Sequence, residues 1–534
     1  MTNKPGNWRQ GIAAFCRWGL VWLSIGLFTL LAGINLLRTA FMDINRESSR
    51  RELVSYEADH PLRFLLFLAA ALAVTLLLQR WWSTADARRS RAMHAAIFFA
   101  WGILGVWWIW NIGVEPSADP ANILWAASRF AEDDFTYLHH GQYLFRYPHQ
   151  LPVTAFLELF LRLVGPDNPY RVQLLRLFNL AAALWAMYVL TRLYRQELAE
   201  NDTFKKNDAV IVLVGAGVLF STFIYGNIPS MALAFTALWL QLQWQREEGH
   251  PAWKLLLSAV CITLAVLLKS FALILLVAQC IVLAVWVLRT GRWKALSFVL
   301  AAVVMIQGSQ WGIRQLYGWR DGQPVNEGSG MLTWAVMGLQ SNWEGWRAPG
   351  WYNNYNWDTY EACGFDHDAA VATAKADLQE RLARFAADPA YTRNFFLKKT
   401  YSQWAEPTYQ CFWINQNKES DQTTPLMEAV CADTPLNARL VEWMNQYQSL
   451  IWVCGAWYLW HKRKNLQMEQ LLPALAIFGG FLFQLVWEGK SQYILQYFML
   501  ALPYGAAGLN EMAAALKTRI LRLRSRQSKT AKAG

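Results

Sequence analysis

The chain has 534 residues, of which 55% are hydrophobic, 15% aromatic and only 16% charged, with a formal net charge of +11. A soluble protein of this length carries about a quarter of its residues as Asp, Glu, Lys or Arg. Charge this scarce, with apolar residues gathered in blocks, excludes an ordinary water-soluble enzyme. The excess of basic residues does not point to nucleic acid either. It sits in short segments between apolar blocks: Arg88-Arg89-Ser90-Arg91, Lys205-Lys206, Arg289 with Arg292 and Lys294, and His461-Lys462-Arg463-Lys464. The tail adds Lys517, Arg519, Arg522, Arg524, Arg526, Lys529 and Lys532. That is the distribution of cytoplasmic loops under the positive-inside rule.

Lys4 and Arg9 precede an apolar run that continues to Leu37 with no clear small-residue cleavage site, so it reads as a retained membrane anchor. A membrane-crossing helix needs ~20 mostly apolar residues. On that criterion spans are expected at 18–37, 64–82, 95–112, 174–190, 209–224, 228–244, 255–268, 271–288, 296–311, 441–460, 471–487 and 493–508. The 441–460 segment is the most polar, with Glu442, Asn445, Gln446 and Gln448 in its first half. The apolar segment 151–164 is short and contains Glu158 and Arg162. Read as a helix lying on the membrane surface, it leaves Arg192, Arg195, Lys205 and Lys206 on the cytoplasmic side. The expectation is an all-α polytopic membrane protein with about twelve transmembrane helices and both termini cytoplasmic.

This topology divides the chain into a two-span N-terminal addition (1–94), a transmembrane core (95–311), an external tryptophan-rich and mainly α-helical region (312–440), further transmembrane helices (441–510) and a basic cytoplasmic tail (511–534). The core contains a first external loop at 113–173 with helices lying on the membrane. At about 130 residues, the second external region is long enough to fold as a small domain. Among the seven cysteines, Cys363, Cys411 and Cys431 share it, and two of the three can pair if it faces an oxidising compartment. The other four lie in or beside apolar blocks, where a thiol behaves as a small hydrophobe. No pair has metal-ligand spacing.

Residues able to do chemistry concentrate at loop positions. Asp119 follows a span, at headgroup height, and a carboxylate there can take a proton from a substrate hydroxyl. It can equally be the N-cap of a helix that has Pro120 in its first turn. Asp133 and Asp134 are a second acidic site or a solvated helix end. His139 and His140 lack carboxylate–histidine spacing and read as loop hydrogen-bonding residues rather than metal ligands. The second region contains Trp334, Trp343, Trp346, Trp351, Trp357, Trp404 and Trp413. Indole faces suit a sugar ring, and they suit a headgroup belt as well. Lys269 and Lys490 each interrupt an apolar hairpin on the outer side, where few basic residues belong. A lysine point charge there suits a phosphate, and snorkelling to the headgroups is the plainer alternative.

Four stretches carry a family likeness: Ser117-Ala118-Asp119-Pro120 with its following helix, Tyr147-Pro148-His149-Gln150-Leu151, Gly350-Trp351-Tyr352-Asn353-Asn354-Tyr355, and Trp487-Glu488-Gly489-Lys490-Ser491-Gln492-Tyr493. With them the chain from Ala95 onward resembles the GT-C superfamily of multi-spanning glycosyltransferases, which use polyprenyl-phosphate sugars and include protein O-mannosyltransferases and lipid A aminoarabinose transferases. The resemblance implies an acidic base in the first external loop, a position Asp119 matches best. Asp133 and Asp134 are the substitutes, because many members have two adjacent acidic residues whereas Asp119 is followed by Pro120. It also implies a donor phosphate held by Lys490, Lys269 or Arg146. Substrate contacts are then expected from Glu488, Gln492, Tyr493, Tyr147, His149, Gln150, Trp351, Tyr352 and Tyr355.

The implied partners are a polyprenyl-phosphate-linked sugar, membrane lipid, and a glycan, glycolipid or protein acceptor at the plasma membrane. No cofactor is implied, and a divalent cation is left open. Three other readings compete. A transporter or lipid flippase would place charged or broken helices near the bilayer midplane. A non-catalytic assembly factor would bind glycan through Trp351 and Trp357. Another lipid-dependent transferase would move a phosphoryl group rather than a sugar.

Overall fold

The computed structural model describes residues 7–44, 52–112, 115–212, 215–341, 347–416 and 424–530. Lys4, Trp343, Trp346 and Lys532, singled out above, lie outside the described residues. Seven described helices are long and apolar enough to cross a bilayer: Trp8–Leu37, Pro61–Thr84, Ala87–Ile112, Arg171–Leu198, Ala272–Thr290, Trp293–Asp321 and Glu469–Val486. The chain is therefore a multi-pass membrane protein. Helices also cover four further expected spans, at Asn227–Arg246, Ala252–Leu268, Pro435–Lys462 and Leu495–Thr530, but these are shorter or more polar.

The expected span at 209–224 is not one helix. Its described residues form the short pieces Ala209–Val212, Ala216–Leu219 and Phe220–Thr222. Gly215, Gly217, Ser221 and Thr222 are weak helix formers, and neighbours satisfy the carbonyls the break releases. The Asn179 amide donates to the carbonyls of Ser221 (3.0 Å) and Phe223 (3.2 Å), and the Trp108 indole to that of Leu219 (3.3 Å). Irregular backbone at membrane depth survives only with such internal partners.

Packing of the bundle relies on small residues at crossings. Gly508 of Leu495–Thr530 meets the backbone of Cys454 in Pro435–Lys462, and Gly505 meets Ile451. Gly455 lies against Phe28 of the first helix, which is fully buried. A two-stranded antiparallel hairpin joins the first two spans, pairing Arg38–Met42 with Val54–Ala58 so that Arg38 faces Ala58 and Met42 faces Val54. The amide of Ala40 donates to the carbonyl of Ala405 at 2.9 Å, so the hairpin rests on the 389–405 region.

The segment expected on the membrane surface is the helix Leu151–Val164. It buries Leu151, Val153, Thr154, Leu157, Glu158 and Leu161 and exposes Leu159 and Leu163, the two-sided pattern of an amphipathic helix. Its buried face packs on Ala118–Ala131. Between Asp321 and Pro435 the described chain is helical and irregular, with Met331–Gly338, Tyr355–Ala362, His367–Ala387, Pro389–Trp404 and Pro425–Cys431 as its main helices. All seven cysteines are free thiols, including Cys411 and Cys431, both buried.

The Gly508 crossing is testable. A Cβ there would lie 1.9 Å from the carbonyl oxygen of Cys454. Gly508→Ala is expected to cost about 1–3 kcal/mol by overpacking, seen as a lower Tm in detergent. Gly19→Ala, with open space around it, is expected to leave the Tm unchanged or raise it.

Candidate functional site

The helix Ala118–Ala131 begins after Ser117, which takes the N-cap position, so Asp119 lies in the first turn rather than capping it. Ala118 adopts a left-handed φ of 54°, and the Asp119 side chain is left exposed to a cavity instead of being spent on the helix end. The Tyr225 hydroxyl donates to its Oδ2 at 3.2 Å, and the Gln150 amide donates to that hydroxyl at 2.7 Å. The Gln150 amide also contacts His149 Nε2 at 3.1 Å. Burial and the nearby Lys269 ammonium hold the His149 imidazole down at about 4, so it is neutral near pH 7. Lys269 ends the helix Ala252–Leu268, and its Nζ lies 3.1 Å from the centroid of the Tyr225 ring, a cation–π contact. Burial lowers this ammonium to about 7, against the opposing pull of Asp119 and Glu488.

These groups line one cavity of about 1120 Å³. The stretches quoted from the sequence supply much of its wall: Arg146, Tyr147, His149, Gln150, Tyr352, Glu488, Lys490, Gln492 and Tyr493 join Asp119 and Lys269 there. The Tyr147 and Tyr352 hydroxyls pair at 2.9 Å, while Trp334 stands 5.9 Å from the Tyr147 ring and 5.5 Å from His149. The guanidinium of Arg146 stacks 3.6 Å from the centroid of Trp357 and donates to the Gly141 carbonyl at 2.9 Å.

Four candidates lie elsewhere. Asp133 accepts from Arg162 at 2.9 Å and Arg320 at 2.8 Å, and these guanidiniums hold its carboxyl below the usual range. Asp134 accepts from the hydroxyl (2.5 Å) and amide (3.0 Å) of Thr136, which lowers it too. Neither lines the cavity. Trp351 is buried and donates to Ser402 at 3.0 Å, and the Tyr355 hydroxyl donates to Asp377 at 2.5 Å. Both therefore support the wall from behind.

Three residues not singled out in the sequence complete the site. Glu52, from the loop before the second hairpin strand, pairs with the Lys490 ammonium and with Arg347 Nε at 2.8 Å. Lys399 is fully buried and donates to the carbonyls of Gly338 (2.5 Å), Leu485 (3.1 Å) and Trp487 (2.9 Å). Burial pulls this ammonium down to about 7 and pushes the neighbouring Glu488 carboxyl up to about 7. None of the three stands in a recognisable motif. Arg347 lies three residues before the Gly350 stretch, while Lys399 reads as half of an ordinary Lys-Lys pair. Among the described residues no three His, Cys, Asp or Glu side chains gather as metal ligands. The cavity wall carries the cations Arg146, Arg176, Lys269, Arg314, Arg347 and Lys490.

No protein-family model matches the chain, and no curated protein matches it. Among solved structures, that of ArnT from Cupriavidus metallidurans bound to undecaprenyl phosphate is similar over 79% of this chain and 78% of that one, at 14% sequence identity and a TM-score of 0.33. The functional reading therefore rests on the side chains of the cavity.

Lys399 provides a direct test of how the wall is held. Lys399→Met removes a donor from three buried carbonyls and is expected to cost about 3 kcal/mol. Thermal unfolding in detergent checks this, with Lys398→Met as the neighbouring control.

Proposed function

We propose that this protein is a membrane glycosyltransferase of the GT-C type, moving a sugar from a polyprenyl phosphate to an acceptor hydroxyl on the extracytoplasmic side. One observation supports the reading above the others. A single large cavity gathers the exposed carboxylate of Asp119, held by the Tyr225 hydroxyl, with ammonium and guanidinium groups from chain positions as distant as 269, 347 and 490, while Glu115 and Glu327 lie elsewhere on its wall. An acid–base group facing cations across a cavity suits a reaction that removes a proton at one end and releases a phosphate at the other.

In this reading Asp119 takes the proton of the acceptor hydroxyl. The acceptor oxygen bonds to the anomeric carbon from the face opposite the phosphate. The carbon–oxygen bond to phosphate breaks and its electron pair leaves with the polyprenyl phosphate, so the configuration inverts. Tyr225 holds the Asp119 carboxylate in place through its hydroxyl. Lys269, Lys490 and Arg347 stabilise the charge that grows on the departing phosphate. The tryptophans Trp334 and Trp487 on the cavity wall offer apolar faces to the sugar or the first isoprene units. The glycan-binding alternative is less well supported, because Trp351 is hydrogen-bonded in the interior and Trp357 is covered by Arg146.

Two outcomes are expected. In lipid nanodiscs with a panel of labelled polyprenyl-phosphate sugars, Asp119→Asn should lower turnover of the accepted donor by at least about 100-fold. Unchanged turnover would remove Asp119 as the base. The second concerns pH. Lys269, held at about 7, is charged below that value and neutral above it, while Glu488 gains its negative charge over the same range. Both changes weaken phosphate binding as pH rises, so KM for the donor should climb above about pH 7. Lys269→Arg should flatten part of this alkaline limb, and adding Glu488→Gln should flatten the rest.

A further inference from the structure

Glu52 comes from the segment between the first two spans, outside the region that carries the family likeness. It is only 4% exposed and adopts a left-handed backbone with φ 47°. Its carboxylate enters the cavity and bridges Lys490 and Arg347. Both cations are themselves largely covered, with 13% and 27% of their side chains exposed. Arg347 also donates to the Tyr352 carbonyl at 2.6 Å. An ammonium carries three N–H groups and a guanidinium five, more than Glu52 and one carbonyl take up, so the pair can hold a phosphate with Glu52 still in place.

The charges of this corner then add simply. Lys490 and Arg347 contribute two positive charges and Glu52 one negative, leaving one positive charge at this pair, while Lys269 stands over the Tyr225 ring on the Asp119 side of the cavity, where the Asp119 carboxylate opposes its charge. Burial pushes Glu488 and Lys399, beside them, each toward its neutral form, so the two add little net charge to this corner. A phosphodiester carries one negative charge, whereas a phosphomonoester carries about −1.5 to −2 near neutral pH. In a site withdrawn from water, a mismatch of a whole charge is costly.

We propose that Glu52 is a specificity-determining residue that sets the charge of the Lys490–Arg347 site to that of a phosphodiester. This rests on the transferase reading, in which the donor is the diester and the released lipid is the monoester. Glu52 favours retention of the donor and departure of the product. Without it the same two cations match the product better.

The test uses the full-length protein in phosphatidylcholine nanodiscs, with farnesyl phosphate as the monoester probe and its methyl ester as the diester probe. Binding is read by quenching of tryptophan fluorescence. Glu52→Gln is expected to shift the affinity ratio about tenfold toward the monoester, and Glu52→Asp, which keeps the charge, to leave it unchanged. Binding of both probes with the ratio unmoved in Glu52→Gln would overturn the role of Glu52 and leave the transferase reading intact. Failure of the wild type to bind either probe would overturn the phosphate site itself. Where Glu52→Gln does not fold, the double variant Glu52→Gln/Lys490→Gln restores the net charge and should return the wild-type ratio. A ratio displaced toward the monoester in the double variant would overturn the charge-matching argument. Inorganic phosphate is expected to leave both probes bound, and its displacing them at equal concentration would overturn a lipid phosphate in favour of the free ion.

Discussion

The buried ammonium of Lys399 is the joint on which the candidate site depends. Three carbonyls converge on it, one from the end of Met331–Gly338 and two from the end of Leu472–Val486. The last carbonyls of a helix have no partner within the helix, and burying them without a donor is costly. One side chain therefore joins the 322–440 region to the C-terminal membrane helices where the Trp487 to Tyr493 loop begins. Backbone bonds continue the junction: Glu488 N–H donates to the Trp334 carbonyl at 3.3 Å and Gly489 N–H to that of Gly350 at 3.1 Å. Lys490 and Glu488 reach the cavity because this loop has no freedom to lie elsewhere.

The opposite wall is held by ions of a different kind. Glu158 is buried in the Leu151–Val164 helix and accepts from Arg162 at 2.9 Å and Arg320 at 2.8 Å, and the Tyr317 hydroxyl also donates to it. Arg162 and Arg320 in turn hold Asp133 and the Phe130 carbonyl at the end of Ala118–Ala131. This cluster fastens the far end of the helix whose first turn presents Asp119. Asp133 thus serves the site from a distance, as the anchor of a helix end. A buried carboxylate with two guanidiniums and a hydroxyl is well compensated, which explains why Glu158 sits in an otherwise apolar face.

How much of the site was legible depended on whether a residue broke its local pattern. Lys269 interrupts an apolar stretch, Lys490 sits in a tight hairpin, and Asp119 precedes a proline at the end of a span. Each violates what its neighbours lead one to expect, and each lines the cavity. Glu52, Arg347 and Lys399 violate nothing. Glu52 follows two arginines, Arg347 stands among tryptophans, and Lys399 looks like any solvated lysine on a helix. Only their distant partners make them exceptional. The broken helix at 209–224 went unforeseen for the same reason, since its apolar content suits a span and the amide of Asn179 that supports the break lies more than forty residues away. The short hairpin at 38–58 likewise offers five residues per strand, too few for a periodicity to register.

What the sequence determined by itself is the solvent and the rough order of the chain. Apolar blocks of bilayer length demand a membrane whatever their packing, because the cost of exposing them to water is set by composition alone. Short length, the charges of Glu158 and Arg162, and the basic residues that follow likewise set the 151–164 segment apart from the spans. The tertiary structure decided which charges face one another. Coulombic and hydrogen-bond energies depend on distance and burial, and residues 52, 119, 269, 347 and 490 come within reach of one another only when segments from distant parts of the chain close around one cavity. The carboxylate of Glu52 is the plainest instance: in the sequence it is one more acidic loop residue, and in the fold it determines the charge that two cations present to a ligand.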